Sequence, residues 1–179
     1  MPFPLGHIAI GLATYKTVEP SETGPWPWKI PVFIVFLANL PDVDILIGLL
    51  FQGNGNLFHR GPTHSLLFAL LAGYLASHAW RLGGYIPRLR FSHCFLIVFS
   101  HVLADMVFTT SPVSLLWPFE VHWSSGSSGW VNVVHAVIFD SIQDIGILAG
   151  AMAYIYVLRR VRKWRPVFRV PAFARRRVR

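Results

Sequence analysis

The hydrophobic pattern of the chain consists of four long apolar stretches separated by shorter polar or proline-rich segments. A shorter apolar stretch, Leu5–Tyr15, precedes them and predicts a short N-terminal helix. About 20 consecutive apolar residues are needed to cross the hydrocarbon core of a bilayer. The predicted spans are Ile30–Phe51, a stretch from Pro62 or Ser65 to Trp80, His93–Phe108 and Val133–Leu158. The pattern predicts an all-α integral membrane helical bundle with about four transmembrane helices plus a short N-terminal helix.

Composition supports this class, because 54% of the residues are hydrophobic and 13% are charged. Soluble domains carry about 25% charged residues. With 179 residues and no long linker, the chain is expected to form one helical membrane domain, residues 1–158, followed by a tail. The single cysteine, Cys94, excludes an internal disulfide.

The formal net charge of +8 is concentrated near the C-terminus, where residues 159–179 contain ten lysines and arginines and no acid. A basic segment directly after an apolar helix is typical of a cytoplasmic end, and the loop with Arg81, Arg88 and Arg90 fits the same rule. We therefore predict a cytoplasmic tail at 159–179. The polar segment His59–Ser65 and the loop Thr109–Trp130 then face the other side. Nucleic-acid binding by the tail is a weaker alternative, which predicts strongly salt-dependent binding.

A proline and two aspartates interrupt the first predicted span in the segment Asn39–Asp44. An aspartate near the centre of a bilayer costs about 2.5–3.5 kcal/mol, so something must compensate these carboxylates. One alternative is structural: Pro41 starts a new helical section, Asn39 caps it and Asp42 interacts with the helix dipole. That alternative leaves Asp44 unexplained.

The segment His59–Ser65 concentrates polar groups immediately before the second span. It contains two imidazoles, a guanidinium and two hydroxyls. Pro62 suits the first turn of a helix, so His64 is expected near the N-terminal end of that helix. The alternative is a polar turn in which Thr63 or Ser65 caps the helix, but capping does not account for two histidines.

His101 and Asp105 are spaced i, i+4 and therefore share one face of the third span. Imidazole nitrogens and carboxylate oxygens are ligands that zinc accepts, and helix-borne pairs at this spacing recur in zinc sites. A hydrogen-bonded His–Asp pair that stabilises the bundle is the alternative. The predicted metal ligands are Asp42, His64, His101 and Asp105.

Three further residues of these segments are assigned supporting or catalytic roles. His59 and Asp44 are either ligands or groups that orient the ligands. Arg60 is a candidate for binding a phosphate or the charge that develops in a transition state, because its planar fork suits such oxygens. Its alternative is an arginine that extends to the membrane interface.

Taken together, these segments resemble the YdjM-like family of membrane-bound, metal-dependent hydrolases, which is distantly similar to zinc-dependent phospholipase C. The motifs that carry the resemblance are Asn39-Leu40-Pro41-Asp42-Val43-Asp44, His59-Arg60-Gly61-Pro62-Thr63-His64-Ser65, Ser100-His101 to Asp105, Thr109-Thr110 and Leu115-Leu116-Trp117-Pro118-Phe119. The resemblance implies His7 as an additional ligand and His101 with Asp105 as the His-x-x-x-Asp pair. A third metal is not expected, because the sequence lacks the later His-x-x-x-Glu pair that binds a further metal in zinc-dependent phospholipase C and has only His122 and His135.

The sequence therefore predicts a membrane-bound hydrolase with one or two divalent ions, zinc being the expected metal. A metal-activated water would attack an ester or phosphoester of a lipid-like substrate. The alternative from another class is a metal-ion or proton-coupled transporter. In a transporter, polar groups should continue to the cytoplasmic end of the bundle, with Asp140 and Asp144 as candidates.

Overall fold

The computed structural model of the chain describes residues 4–19, 27–56, 58–108, 112–119, 129 and 142–164. Within these residues it contains six α-helices and no β-strand. The helices are α1 (Pro4–Val18), α2 (Lys29–Ala38), α3 (Val43–Gln52), α4 (Leu66–His78), α5 (Phe91–Phe108) and α6 (Ile142–Trp164). The predicted all-α class is thus confirmed. The N-terminal helix extends beyond the predicted Leu5–Tyr15 at both ends.

Two helices, α5 and the part of α6 up to Arg162, are long and apolar enough to cross a membrane. Helices α2 and α3 form one more candidate span that bends by 58° at the break between them. The second predicted span corresponds to the shorter α4 and the 3₁₀ turn Ala79–Leu82. The described residues therefore give two spans, or three with the bent pair, and the predicted number of about four is not confirmed.

Helix α4 begins later than a start at Pro62 would require. Residues Pro62–His64 form a separate 3₁₀ turn, and Ser65 has an extended backbone that interrupts the helical path. The Ser65 hydroxyl accepts a hydrogen bond from the Phe68 N–H at 3.0 Å. Of the two candidate caps, Ser65 is the one that caps the helix.

The core lies between α2, α4 and α5, with α1 packed against α2, α5 and α6. Its fully buried members are Ile34, Leu37, Ala38, Ala69, Cys94, Ile97 and Val98. Helices α4 and α5 approach very closely, because a Cβ atom added at Gly73 would lie 2.7 Å from the Phe95 Cα. The glycine thus permits a backbone contact that any other residue would prevent.

Helices α1 and α6 run parallel and are joined near both ends. At one end the Gly6 N–H donates a hydrogen bond to the Asp144 carboxylate at 3.0 Å. At the other end the Arg162 guanidinium donates to the carbonyl oxygens of Lys16 and Thr17 at 2.8 and 2.9 Å. A carboxylate therefore joins the two helices at one end of the bundle, and a guanidinium joins them at the other end.

Most described basic residues lie at the end of the bundle that contains Arg162. They are Lys16, Lys29, Arg81, Arg88, Arg90, Arg159, Arg160, Arg162 and Lys163. Large apolar side chains on the outer faces of the helices remain exposed, among them Leu50, Phe51, Val107 and Ile142. Exposed apolar surface of this extent is characteristic of a protein surrounded by lipid.

Candidate metal centre

The break between α2 and α3 brings two aspartates and a free backbone carbonyl into the interior. Asp42 occupies the N-cap position of α3 without a capping hydrogen bond from its side chain, and Asn39, the predicted cap, is instead the C-cap residue of α2. Helix α2 ends at Ala38, whose carbonyl oxygen lies 2.7 Å from His101 Nδ1. In a continuous helix this carbonyl would accept the N–H of residue 42. The break releases it to orient a histidine instead.

The segment His59–Ser65 is held against residues 112–119 by backbone hydrogen bonds. The Ser114 N–H donates to the Arg60 carbonyl at 3.0 Å, and the Leu66 N–H donates to the Leu115 carbonyl at 2.9 Å. Arg60 has a left-handed backbone, with φ at 65°, which is rare for a residue with a side chain. Such conformations cost about 1–3 kcal/mol and cluster at functional sites. The segment therefore has a strained backbone that places its buried side chains.

Four side chains from three parts of the chain converge on one point. His64 Nε2 lies 3.3 Å from His101 Nε2 and 3.3 Å from Asp105 Oδ2. Asp42 Oδ1 lies 3.5 Å from His64 Nε2 and 3.4 Å from His101 Nε2. The four atoms are two imidazole nitrogens and two carboxylate oxygens, all potential metal ligands.

The spacing and protonation of these atoms fit a divalent cation. Nitrogen and oxygen donors about 2.0–2.1 Å from a tetrahedral zinc ion lie about 3.3 Å from one another. Because the His101 Nδ1–H donates to the Ala38 carbonyl, its Nε2 presents a lone pair to the centre. Asp42 Oδ1 and both carboxylate oxygens of Asp105 are buried without a hydrogen-bond partner in the described part of the chain. Buried oxygens of this kind require a compensating positive charge.

His7 reaches the same centre from α1. Its Nε2 lies 3.5 Å from Asp105 Oδ1, while its ring stacks on that of His101 with the centroids 3.6 Å apart. Asp105 thus directs one carboxylate oxygen towards His64 and the other towards His7. The arrangement gives two overlapping groups of possible ligands, Asp42, His59, His64 and Asp105, and His7, His101 and Asp105. Two such groups are compatible with one or two ions.

Asp44 contacts two histidines, and it contacts His64 at Nδ1, the ring nitrogen that does not face the centre. Its Oδ2 is 3.2 Å from His64 Nδ1, and its Oδ1 is 3.2 Å from His59 Nδ1. The Thr63 hydroxyl also donates a short hydrogen bond to Asp44. A carboxylate on the far nitrogen of a metal-binding histidine fixes the ring orientation. Asp44 has this position relative to His64.

His64 itself lies in a strongly anionic environment. Burial lowers its pKa, but the contacts of its ring with the carboxylates of Asp105, Asp42 and Asp44 outweigh burial and hold the pKa well above its usual range. The position therefore favours a positive charge, which either a proton or a bound cation can supply.

Arg60 completes the centre from the side of Asp105. Its side chain is buried, and its Nε lies 3.8 Å from Asp105 Oδ2. This burial differs from the sequence-based alternative of an arginine that extends to the membrane interface.

The structure brings all eight predicted site residues into one buried cluster. They are His7, Asp42, Asp44, His59, Arg60, His64, His101 and Asp105. His78 and His93 lie at the opposite end of the bundle, where His93 Nε2 is 3.5 Å from a Glu19 carboxylate oxygen. His122, His135 and Asp140 lie outside the described residues.

Sequence reasoning missed three contributors. The Ala38 carbonyl has no side-chain signal at all, and Thr63 was considered only as a cap. Asp144 is not among the predicted site residues, although its position inside an apolar span is a signal; it is 1% exposed and contacts the residue before His7.

Comparison with known proteins places this centre in a family context. A family model described as YdjM inner membrane protein matches residues 1–169. The inner membrane protein YbcI of Escherichia coli strain K12 is 39% identical over 125 residues, which are 67% of this chain and 69% of that protein. The inner membrane protein YdjM of the same strain is 34% identical over 129 residues, covering 63% of this chain and 64% of that protein. The chain thus spans about two thirds of the length of these relatives. No solved structure matches it.

Proposed function

The chain belongs to the YdjM family of inner membrane proteins, and we propose that it is a membrane-embedded, metal-dependent hydrolase. The proposed reaction is hydrolysis of an ester or phosphoester in a lipid-like substrate. The proposed cofactor is zinc, as one or two ions, held by Asp42, His64, His101, Asp105 and His7. The observation that supports this most directly is that His64 Nε2 lies 3.3–3.5 Å from donor atoms of His101, Asp105 and Asp42, and that Asp42 Oδ1 lies 3.4 Å from His101 Nε2.

The residues around the centre have separable roles in this proposal. A bound divalent ion would lower the pKa of a coordinated water to near neutrality and so supply the nucleophile. Asp44 orients the His64 ring through Nδ1, and the Ala38 carbonyl orients the His101 ring. Arg60 would bind the anionic oxygens of the substrate, since its guanidinium is buried next to the ligands and can form two parallel hydrogen bonds. His59 would support Asp44 and accept or return a proton at Nε2.

The proposed lipid-like substrate follows from where the centre opens. Asp42 is 17% exposed at its side chain, whereas those of His64 and Asp105 are at most 1% exposed. Helix α3, which begins immediately after Asp42, exposes the apolar side chains of Leu46, Leu50 and Phe51. A reacting group that reaches Asp42 therefore passes an apolar surface, which favours a substrate with hydrocarbon chains.

We further propose an inner-membrane location with the centre in the non-cytoplasmic half. The relatives are named inner membrane proteins, and most described basic residues, Arg60 excepted, lie at the end of the bundle opposite to the centre. By the positive-inside rule, that basic end and the tail after it face the cytoplasm.

Metal analysis tests the proposal. Protein purified in detergent without chelators is analysed by elemental mass spectrometry beside a His101→Ala/Asp105→Ala double variant. Stoichiometric zinc that the variant loses would support the centre and justify assays with phosphoester and lipid substrates. Alanine variants at His64, His101 and Asp105 that keep the full metal content would overturn the proposal.

A further inference from the structure

Helix α1 carries His7 in its first turn, yet the described part of α1 supplies no acidic side chain to that turn. The first backbone N–H groups of a helix have no partner within the helix and need acceptors from elsewhere. For Gly6 that acceptor is the Asp144 carboxylate, at 3.0 Å and 138 positions further along the chain. The first turn of α1 is thus fixed by a residue of α6.

The residue that contacts Asp144 is the sequence neighbour of a proposed metal ligand. Gly6 immediately precedes His7, whose ring stacks on His101 and whose Nε2 lies 3.5 Å from Asp105. Both Asp144 and His7 are 1% exposed. A carboxylate also interacts favourably with the positive end of the helix dipole. A change at Asp144 would therefore shift the backbone from which His7 projects.

We propose that Asp144 is a positioning residue for the metal centre, acting through the first turn of α1 on His7. The proposal rests on the proposed function, because it assumes that His7 binds a metal ion. It also gives α6, which contributes no ligand among the described residues, a defined connection to the centre. A loss of the contact would weaken metal binding without removing any ligand.

Zinc affinity of the full chain in detergent, measured by competition with a chelator, tests this proposal. We expect Asp144→Ala to weaken zinc binding about 10–100-fold, as is usual for a group that supports a ligand. Asp144→Asn should keep most of the affinity, because its amide oxygen can accept the Gly6 hydrogen bond. If Asp144→Ala does not fold, Asp144→Ser replaces it, since its hydroxyl is too short to reach Gly6.

A double-mutant cycle separates positioning from general destabilisation. Because Asp144 is proposed to act through His7, His7→Ala/Asp144→Ala should bind zinc no more weakly than His7→Ala alone. Arg162→Gln, which breaks the contact at the other end of the same two helices, should bind zinc like the wild type. Additive losses in the cycle, or an equal loss in Arg162→Gln, would overturn the proposal.

Zinc binding by the wild type distinguishes a failure of the proposed function from a failure of the proposed role of Asp144. A folded wild-type protein that binds no zinc overturns the proposed function and this inference with it. Wild-type zinc binding that Asp144→Ala leaves unchanged overturns the inference alone.

Discussion

At the scale of single residues, a comparison of Asp44 with Asp42 distinguishes a group that supports a ligand from a ligand itself. Asp44 contacts Nδ1 of both His64 and His59 and is not placed at the point where the four donor atoms converge. We expect Asp44→Asn to weaken zinc binding about 10–100-fold, because the amide orients His64 less firmly. Asp42→Asn, which changes a proposed ligand, should abolish binding under the same conditions. Chelator competition measures both, and equal losses in the two variants would contradict the distinction.

Arg60 allows substrate binding to be separated from metal binding. Arg60→Lys keeps the positive charge near Asp105 but loses the planar fork that suits phosphate oxygens. We expect the variant to retain its zinc and to hydrolyse a phosphoester substrate about 10²–10³-fold more slowly, the usual effect of removing one donor to a developing charge. Zinc content and turnover are measured on the same preparation. Full activity, or loss of the metal, would contradict the proposed role.

The side chains of the centre can largely be predicted from the sequence. The hydrogen bonds that hold these side chains and their backbone in place cannot. His101 and Asp105 share a helix face by their spacing alone, so local periodicity predicts them. His7 is a lone histidine in a short apolar helix, and only family resemblance indicated it. The contacts of His101 with Ala38 and of Gly6 with Asp144 join positions 63 and 138 residues apart. Tertiary packing decides such contacts, and sequence spacing does not encode them.

At the scale of helices, the break between α2 and α3 is a structural feature of the proposed centre that sequence predicts only in part. Pro41 predicts an interruption, because proline lacks the N–H that a continuous helix requires. The bend of 58° is not encoded by this proline alone, and the Ala38 carbonyl contacts His101, which lies 63 residues further along the chain. The predicted span is therefore broken at the segment that places Asp42 and Asp44 in the centre.

The close approach of α4 and α5 is a testable determinant of stability. A Cβ atom at Gly73 would lie 2.7 Å from Phe95 Cα, whereas one at Gly150 on α6 would meet nothing within 4 Å. We expect Gly73→Ala to destabilise the fold by about 1–3 kcal/mol through overpacking. The same change at Gly150 should be neutral or slightly stabilising. Thermal unfolding in detergent compares the two, and similar melting temperatures would contradict the packing argument.

At the scale of the whole molecule, charge asymmetry predicts the orientation. Nine of the ten described basic residues lie at the end opposite to the proposed metal centre, and the tenth, Arg60, lies at the centre itself. The positive-inside rule then places the C-terminal tail in the cytoplasm. A green fluorescent protein fused after Arg179 should fluoresce, and an alkaline phosphatase fused there should be inactive. The reverse pattern would contradict this orientation and the location proposed for the centre.

The buried layer below the metal centre favours an enclosed site over a transport path. On α5, His101 in the centre and His93 near the basic end are eight residues apart, or about 12 Å along the helix. The fully buried α5 side chains between them are Cys94, Ile97 and Val98, which pack in the apolar core with Ile34 and Leu37. Among these side chains only the Cys94 thiol could bind an ion, and in the described part of the bundle the layer contains no imidazole or carboxylate that would continue a path from the centre.

A transport assay can therefore decide between the two classes of function. Purified protein reconstituted in proteoliposomes should take up zinc no faster than protein-free vesicles, and His101→Ala should leave that rate unchanged. In a transporter, the polar groups of the centre would belong to a path that continues to the basic end. Saturable zinc uptake that His101→Ala abolishes would thus show that the apolar layer opens, and it would replace the hydrolase proposal with a transporter that uses the same ligands.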